Sequence, residues 1–279
     1  MTDPLLLPGP LVTTDWLARR IGLPGLVVVD ASWHLPDAGR DAEAEFRHAH
    51  IPGARRMDLD AVADPDSPLP HMAPPPPIFE AWARAEGIGQ GSTVICYDAA
   101  GLFSAARAWW TFRRMGHAAV AVLDGGLPKW RAEGHPLESG EARPVPPGNF
   151  AAGDPLVRVA TADEVARALA MGQPVLDARS PTRFRGEAPE PRPGLRPGHM
   201  PGAVNCHYAA LLNPDGRMKD RDALAALLPE EGGVTTCGSG ITAAILALAL
   251  ERLGRPHALY DGSWAEWGAD PARPVATGP

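Results

Sequence analysis

The chain has 279 residues, of which 45% are hydrophobic and 21% charged, and carries a formal net charge of −7. That length and composition suit two ordinary globular domains, and the acidic balance argues against a nucleic-acid partner, whose phosphates demand a concentrated basic surface. Three cysteines, Cys96, Cys206 and Cys237, in no paired spacing argue against a disulfide framework or a metal site and suit a reducing, cytoplasmic setting.

In chain order, the opening residues lack the basic start and apolar run of a signal peptide. Short apolar runs at 26–29, 94–97 and 120–123 predict strands, and a helical pattern at 104–115 ends at Gly116. A second set of strands is predicted at 175–176, 234–236 and 257–260, with a helix over 241–253 ending at Gly254. Glycine just past a last helical turn is a common stop signal. The most apolar run, 241–250, is too short to span a bilayer, so no membrane association is expected. Strands alternating with helices predict an α/β fold: a mostly parallel central sheet flanked by helices.

The two sets of elements are copies. Asp30-Ala31-Ser32 returns as Asp177-Ala178-Arg179, His50-Ile51-Pro52-Gly53-Ala54 as His199-Met200-Pro201-Gly202-Ala203, and Asp124-Gly125-Gly126 as Asp261-Gly262-Ser263. The order is constant and the spacing drifts slowly, as in a duplicated domain with unequal loops. Between the copies, Pro136, Pro144, Pro146, Pro147 and Pro155 predict a stiff, extended linker. The expected division is residues 1–135, a linker over 136–157, and a second domain over 158–279.

One loop carries chemistry. In Thr236-Cys237-Gly238-Ser239-Gly240-Ile241-Thr242 a strand ends at a cysteine, a glycine-containing turn follows, and a helix begins. Such a turn points successive N–H groups inward, and the helix adds its unpaired N–H groups and positive dipole end. The cradle favours a thiolate, and would equally hold a persulfide anion. Asp98 occupies the matching place in the first copy, so only one copy has a thiol at this position. A cysteine phosphatase would use a similar cradle, but it needs an arginine six residues beyond the cysteine, where this chain has Ala243. Cys96 reads as core, and Cys206 has no cradle. His50 and His199, and the tryptophans after Asp124 and Asp261, recur in both copies and read as structural.

Together these motifs resemble the tandem-domain rhodanese family across nearly the whole chain. The resemblance implies two rhodanese-like domains, the first catalytically silent, and sulfur transfer through a persulfide on Cys237 without metal or organic cofactor. Thiosulfate-using members typically carry Cys-Arg-Lys-Gly-Val-Thr; the loop here is similar to the 3-mercaptopyruvate form, Cys-Gly-(Ser/Thr)-Gly-Val-Thr, with Ile241 for valine. It implies Gly238, Gly240, Ile241 and Thr242 around the substrate, and Arg183 and Arg192 on its carboxylate; Arg185, between them, reads as structural. It also implies a set formed by Ser239 with His71 and Asp60 of the other domain, acting as a proton relay or as an interdomain brace. The expected partners are 3-mercaptopyruvate and an acceptor thiol, small or thioredoxin-like, or cyanide. Thiosulfate is the alternative donor, and a non-catalytic sulfur-relay or regulatory module the alternative of another class.

Overall fold

A computed structural model describes residues 5–279; Met1–Pro4, the start of the segment read as lacking a signal peptide, lie outside the described residues. Two five-stranded sheets, parallel throughout, form the two halves of the chain.

The first half runs β1 (Leu11–Val12), α1 (Thr14–Ala18), β2 (Leu26–Asp30), α2 (Ala42–His48), β3 (Arg55–Arg56), α3 (Pro76–Ala85), β4 (Thr93–Tyr97), α4 (Ala105–Arg114), β5 (Val120–Leu123) and α5 (Gly126–Ala132). The second runs β6 (Arg158–Ala160), α6 (Ala162–Ala170), β7 (Val175–Asp177), α7 (Pro181–Phe184), β8 (Val204–Asn205), α8 (Arg221–Leu227), β9 (Gly233–Thr236), α9 (Ala243–Leu253), β10 (His257–Tyr260) and α10 (Ser263–Trp267), with a 3-10 turn at Tyr208–Leu211. The sheet orders, β1-β5-β4-β2-β3 and β6-β10-β9-β7-β8, are the same topology, which gives the sequence repeat its structural meaning. Register makes the match residue by residue: Asp30 pairs with Tyr97 and Asp177 with Thr236, so Asp98 and Cys237 leave equivalent central strands.

Local chemistry sets the helix limits. Thr161 and Glu164 form a reciprocal capping box at α6, and Asp41 and Asp220 accept backbone N–H bonds at α2 and α8, satisfying donors that a helix start leaves unpaired. Gly116 and Gly254 follow α4 and α9 in left-handed conformations (φ 79° and 73°), as their positions predict.

Helices α4 and α9 explain how the halves join. Every residue from Ala243 to Leu250 is buried, and so is every residue from Ala105 to Phe112. Stretches buried on every side need cover on every side, and each of these lies between its own sheet and the other half. Val94, Trp109, Leu246 and Leu259 thus belong to one continuous core. Across its edge Arg113 Nη2 donates to Glu251 Oε1 at 2.9 Å.

The connecting segment is extended, but it is also attached. Gly148 N and Phe150 N donate to Arg84 O and Ile88 O, Leu156 N donates to Arg113 O, and Phe150 is 1% exposed. Its prolines set an extended course, while Phe150 pins it to the first half. Among the described residues no helix is long and apolar enough to cross a membrane.

Candidate active site

Cys237 stands at the end of β9, 2% exposed, and its Sγ accepts the Gly240 N–H at 3.2 Å. What the surrounding turn prefers to hold is shown by the other copy. There the Asp98 carboxylate accepts Ala100 N on Oδ1 (2.9 Å) and Phe103, Ser104 and Ala105 N on Oδ2 (2.8, 2.9 and 2.8 Å). An anion is thus already bound by the first strand-to-helix turn, supplied by the chain itself. In the second, the amides of Gly238, Ser239, Ile241 and Thr242 donate to no acceptor among the described residues, and can turn to a negative group carried on Cys237.

Gly240 (φ 83°) needs to be glycine twice over: a Cβ there would meet Arg107 Nη1 and Asp261 Oδ1, each at 2.9 Å. Ser263 (φ 50°) stands where the first copy has Gly126 (φ 55°). Its hydroxyl accepts Cys237 N at 3.2 Å and donates to Tyr260 O at 2.8 Å, fixing the cysteine backbone from behind.

The cysteine lines a cavity of about 230 Å³ between the halves, walled by Arg183, Arg192 and Tyr208 of the second half and by Trp33, Leu35 and Phe103 of the first. Arg183 Nη2 donates to Glu190 Oε2 at 2.5 Å, and Glu190, 1% exposed at its side chain, also receives Arg179 Nη1 at 2.9 Å. Arg179 is itself clasped by Asp177. Burial pulls the Arg192 guanidinium below the usual arginine range; the Cys237 thiolate opposes this and neighbouring Arg183 adds to it. An arginine stays cationic nonetheless. Two guanidinium forks beside a thiol suit a small anionic sulfur donor.

His71 and Asp60 do reach this site from the first half. His71 Nδ1 lies against Asp60 Oδ1, and Trp33 Nε1 donates to Asp60 Oδ2 at 2.9 Å. Burial opposes ionisation of Asp60, but His71, Trp33 and Arg192 outweigh it and hold the carboxyl below its ordinary range. The expected hydrogen bond from Ser239 to His71 is not formed. His71 Nε2 is instead taken by Arg192 Nη2 at 2.8 Å. Ser239 is buried in the loop, and no side-chain bond of its own links it to His71.

Other expectations sort as follows. Arg185 pairs with Glu187 at the surface. His50 and His199 each bond a carbonyl (Phe46 O and Phe184 O, both 2.8 Å) and stack on that phenylalanine, which makes them structural in both copies. Trp130 and Trp264 are wholly buried. Cys96 is core, and burial pushes the Cys206 thiol up to about 11. Sequence reasoning missed Glu190, Trp33 and Arg107. Glu190 had a signal, one of two acids, with Glu187, between Arg183 and Arg192; the other two act across the domain junction, where sequence patterns say nothing.

Two copies of one α/β unit, with an anion-holding turn after the fourth strand of each, define a tandem sulfurtransferase-like architecture. The rhodanese-like domain family matches residues 13–133 and 161–270, and the chain belongs to that family. It is 41% identical to the 3-mercaptopyruvate sulfurtransferase of Escherichia coli (strain K12), over 95% of this chain and 96% of that one. It is also 41% identical to the human 3-mercaptopyruvate sulfurtransferase, over 92% and 91%. An Escherichia coli crystal structure described as showing the rhodanese fold and catalytic mechanism of 3-mercaptopyruvate sulfotransferases superposes with a TM-score of 0.83 at 38% identity, covering 92% of this chain and 99% of that one.

Proposed function

We propose that this protein is a 3-mercaptopyruvate sulfurtransferase that carries sulfur as a persulfide on Cys237. The observation that carries the choice of donor is at Gly238: a Cβ there would lie 2.8 Å from Arg183 Nη2. The loop leaves room for the Arg183 fork only because its second residue has no side chain. An arginine at that place, as in thiosulfate-type loops, would occupy the same space.

In this reading Arg183 and Arg192 hold the substrate carboxylate and keto oxygen, and the Cys237 thiolate attacks the substrate sulfur. The new S–S bond forms as the C–S bond breaks, and pyruvate leaves as its enolate with the electron pair. The proton of the substrate thiol ends on the enolate carbon, leaving a persulfide anion in the amide cradle. An acceptor, either cyanide or a thiol that is small or thioredoxin-like, then takes the outer sulfur. His71 receives a hydrogen bond from Arg192, so the geometry supports a brace for the substrate-holding arginine over a proton relay from Ser239. Three free cysteines fit a reducing, cytoplasmic setting. The chain itself needs no metal or organic group for these steps.

The test is steady-state turnover with 3-mercaptopyruvate and, separately, thiosulfate, with cyanide as common acceptor, for wild type and Cys237→Ser. The expected result is preference for mercaptopyruvate that disappears in the variant, together with a mass gain of one sulfur atom on the donor-treated wild type. Preference for thiosulfate would overturn the choice of donor, and activity surviving in Cys237→Ser would overturn the persulfide.

A further inference from the structure

The first half has Asp98 where the second has Cys237, yet its Arg107 reaches the centre of the second half's machinery. Arg107 is 2% exposed and stacks over Trp110, with its Cζ 4.6 Å from the ring centroid. Its Nη1 donates to Asp261 Oδ1 at 2.5 Å and lies 3.5 Å from Gly240 O, while its Nη2 donates to His71 O at 2.5 Å. Asp261 Oδ2 in turn accepts Ala73 N at 2.7 Å. One guanidinium thus joins the cysteine turn, the turn after β10 and the loop carrying His71.

His71 has φ 57°, a left-handed conformation that costs a side-chain-bearing residue. The repeat shows what that place ordinarily requires. Met218 N donates to Asp124 Oδ1 at 2.7 Å, just as Ala73 N donates to Asp261, so Ala73 matches Met218 and His71 matches Gly216. Gly216 has φ 79° and needs no help. No guanidinium reaches its carbonyl among the described residues. The copy that places a histidine in the glycine conformation is the one whose carbonyl is gripped by a buried arginine.

We infer that Arg107 is a positioning residue for the sulfur-transfer reaction, holding the His71 backbone in its left-handed conformation and in register with the Cys237 turn. His71 Nε2 then meets Arg192, and Nδ1 meets Asp60. This rests on the reading of the site given above. It assigns the silent half a task beyond covering apolar surface.

The experiment is steady-state kinetics with 3-mercaptopyruvate and cyanide for wild type, Arg107→Lys, His71→Gly and the double variant, with thermal denaturation alongside. Lysine keeps a buried charge opposite Asp261 but cannot span Asp261 and the His71 carbonyl together. The expected result is a fall in kcat/KM of about ten- to a hundredfold, the scale of a small misplacement of a substrate-positioning group, carried mainly by KM as Arg192 loses its brace. In the His71→Gly background, where glycine adopts the conformation unaided, the same replacement should cost less than about threefold. Should Arg107→Lys fail to fold, Arg107→Gln combined with Asp261→Asn leaves no buried charge unpaired and should show the same KM-weighted loss. Unchanged kcat/KM in a folded Arg107 variant would overturn the inference, as would a full penalty persisting beside His71→Gly. Absence of mercaptopyruvate turnover in the wild type would instead remove the proposed function, and this inference with it.

Discussion

Replacing Gly238 by alanine separates donor recognition from folding. Gly238 does not use a left-handed conformation, so a Cβ brings no backbone strain. A Gly→Ala change at a compatible site tends to stabilise by about 0.4–1 kcal/mol through the unfolded chain. The new methyl would lie 2.8 Å from Arg183 Nη2, whereas ordinary contact needs roughly 3.4–4 Å. The guanidinium must therefore retreat by about 0.6–1.2 Å, and its 2.5 Å bond to Glu190 fixes the direction from which it starts. A displacement near ~1 Å in a substrate-positioning group costs up to about a hundredfold. The expected outcome for Gly238→Ala is kcat/KM for 3-mercaptopyruvate reduced about ten- to a hundredfold, mainly through KM, with a melting temperature equal to or above wild type. Steady-state kinetics and a thermal scan on the same preparation read both. Wild-type kcat/KM in the variant would refute the claim that Gly238 makes room for a substrate-binding Arg183.

Glu190→Gln keeps the shape but removes the charge that anchors Arg183; Arg179 retains Asp177. The expected kcat/KM is lower by roughly tenfold or more, the worth of a charge-assisted bond, and a lowered KM would show instead that Glu190 competes with substrate. Asp98→Asn offers one acceptor oxygen to a cradle that uses two, and should cost ~1–3 kcal/mol, seen as a melting temperature lower by roughly 3–10 °C; an unchanged value would deny the cradle its anion preference. Asp124 is pushed up by burial, against the Met218 N–H. Its contribution is therefore fully present below the ordinary carboxylate value of ~3.9 and lost as pH rises through the raised folded value. Asp124→Asn, which keeps an acceptor for Met218 N, should raise the melting temperature at pH 7, with the gain shrinking towards pH ~4; a pH-independent difference would contradict this.

The long central elements were legible because each satisfies one strong rule. Strands 120–123 and 257–260 were apolar runs of strand length, and α4 and α9 ended at glycines that the structure finds left-handed. The short strands β1, β3 and β8, two residues each, were not, since two residues show no periodicity and are placed by the sheet they border. Cys237 was legible because strand, turn and helix start are contiguous. His71 and Asp60 came only through family resemblance, and their true neighbour, Arg192, lies 121 residues from His71 in sequence. Arg107 shares its helix with Arg113 and Arg114, and nothing in that pattern hints that its partners belong to another domain.

The crossed contacts bear on the history of the chain. Asp261 of the second half fixes a loop of the first, and Asp124 of the first fixes a loop of the second. Each copy is thus finished by its sister, whether its turn holds Asp98 or Cys237. A gene encoding either half alone would yield a domain with an unfinished loop and a stripped helix, α4 or α9, facing water. Once duplicated in this manner, such a protein can vary the residue in either turn but cannot part with either of its two bodies.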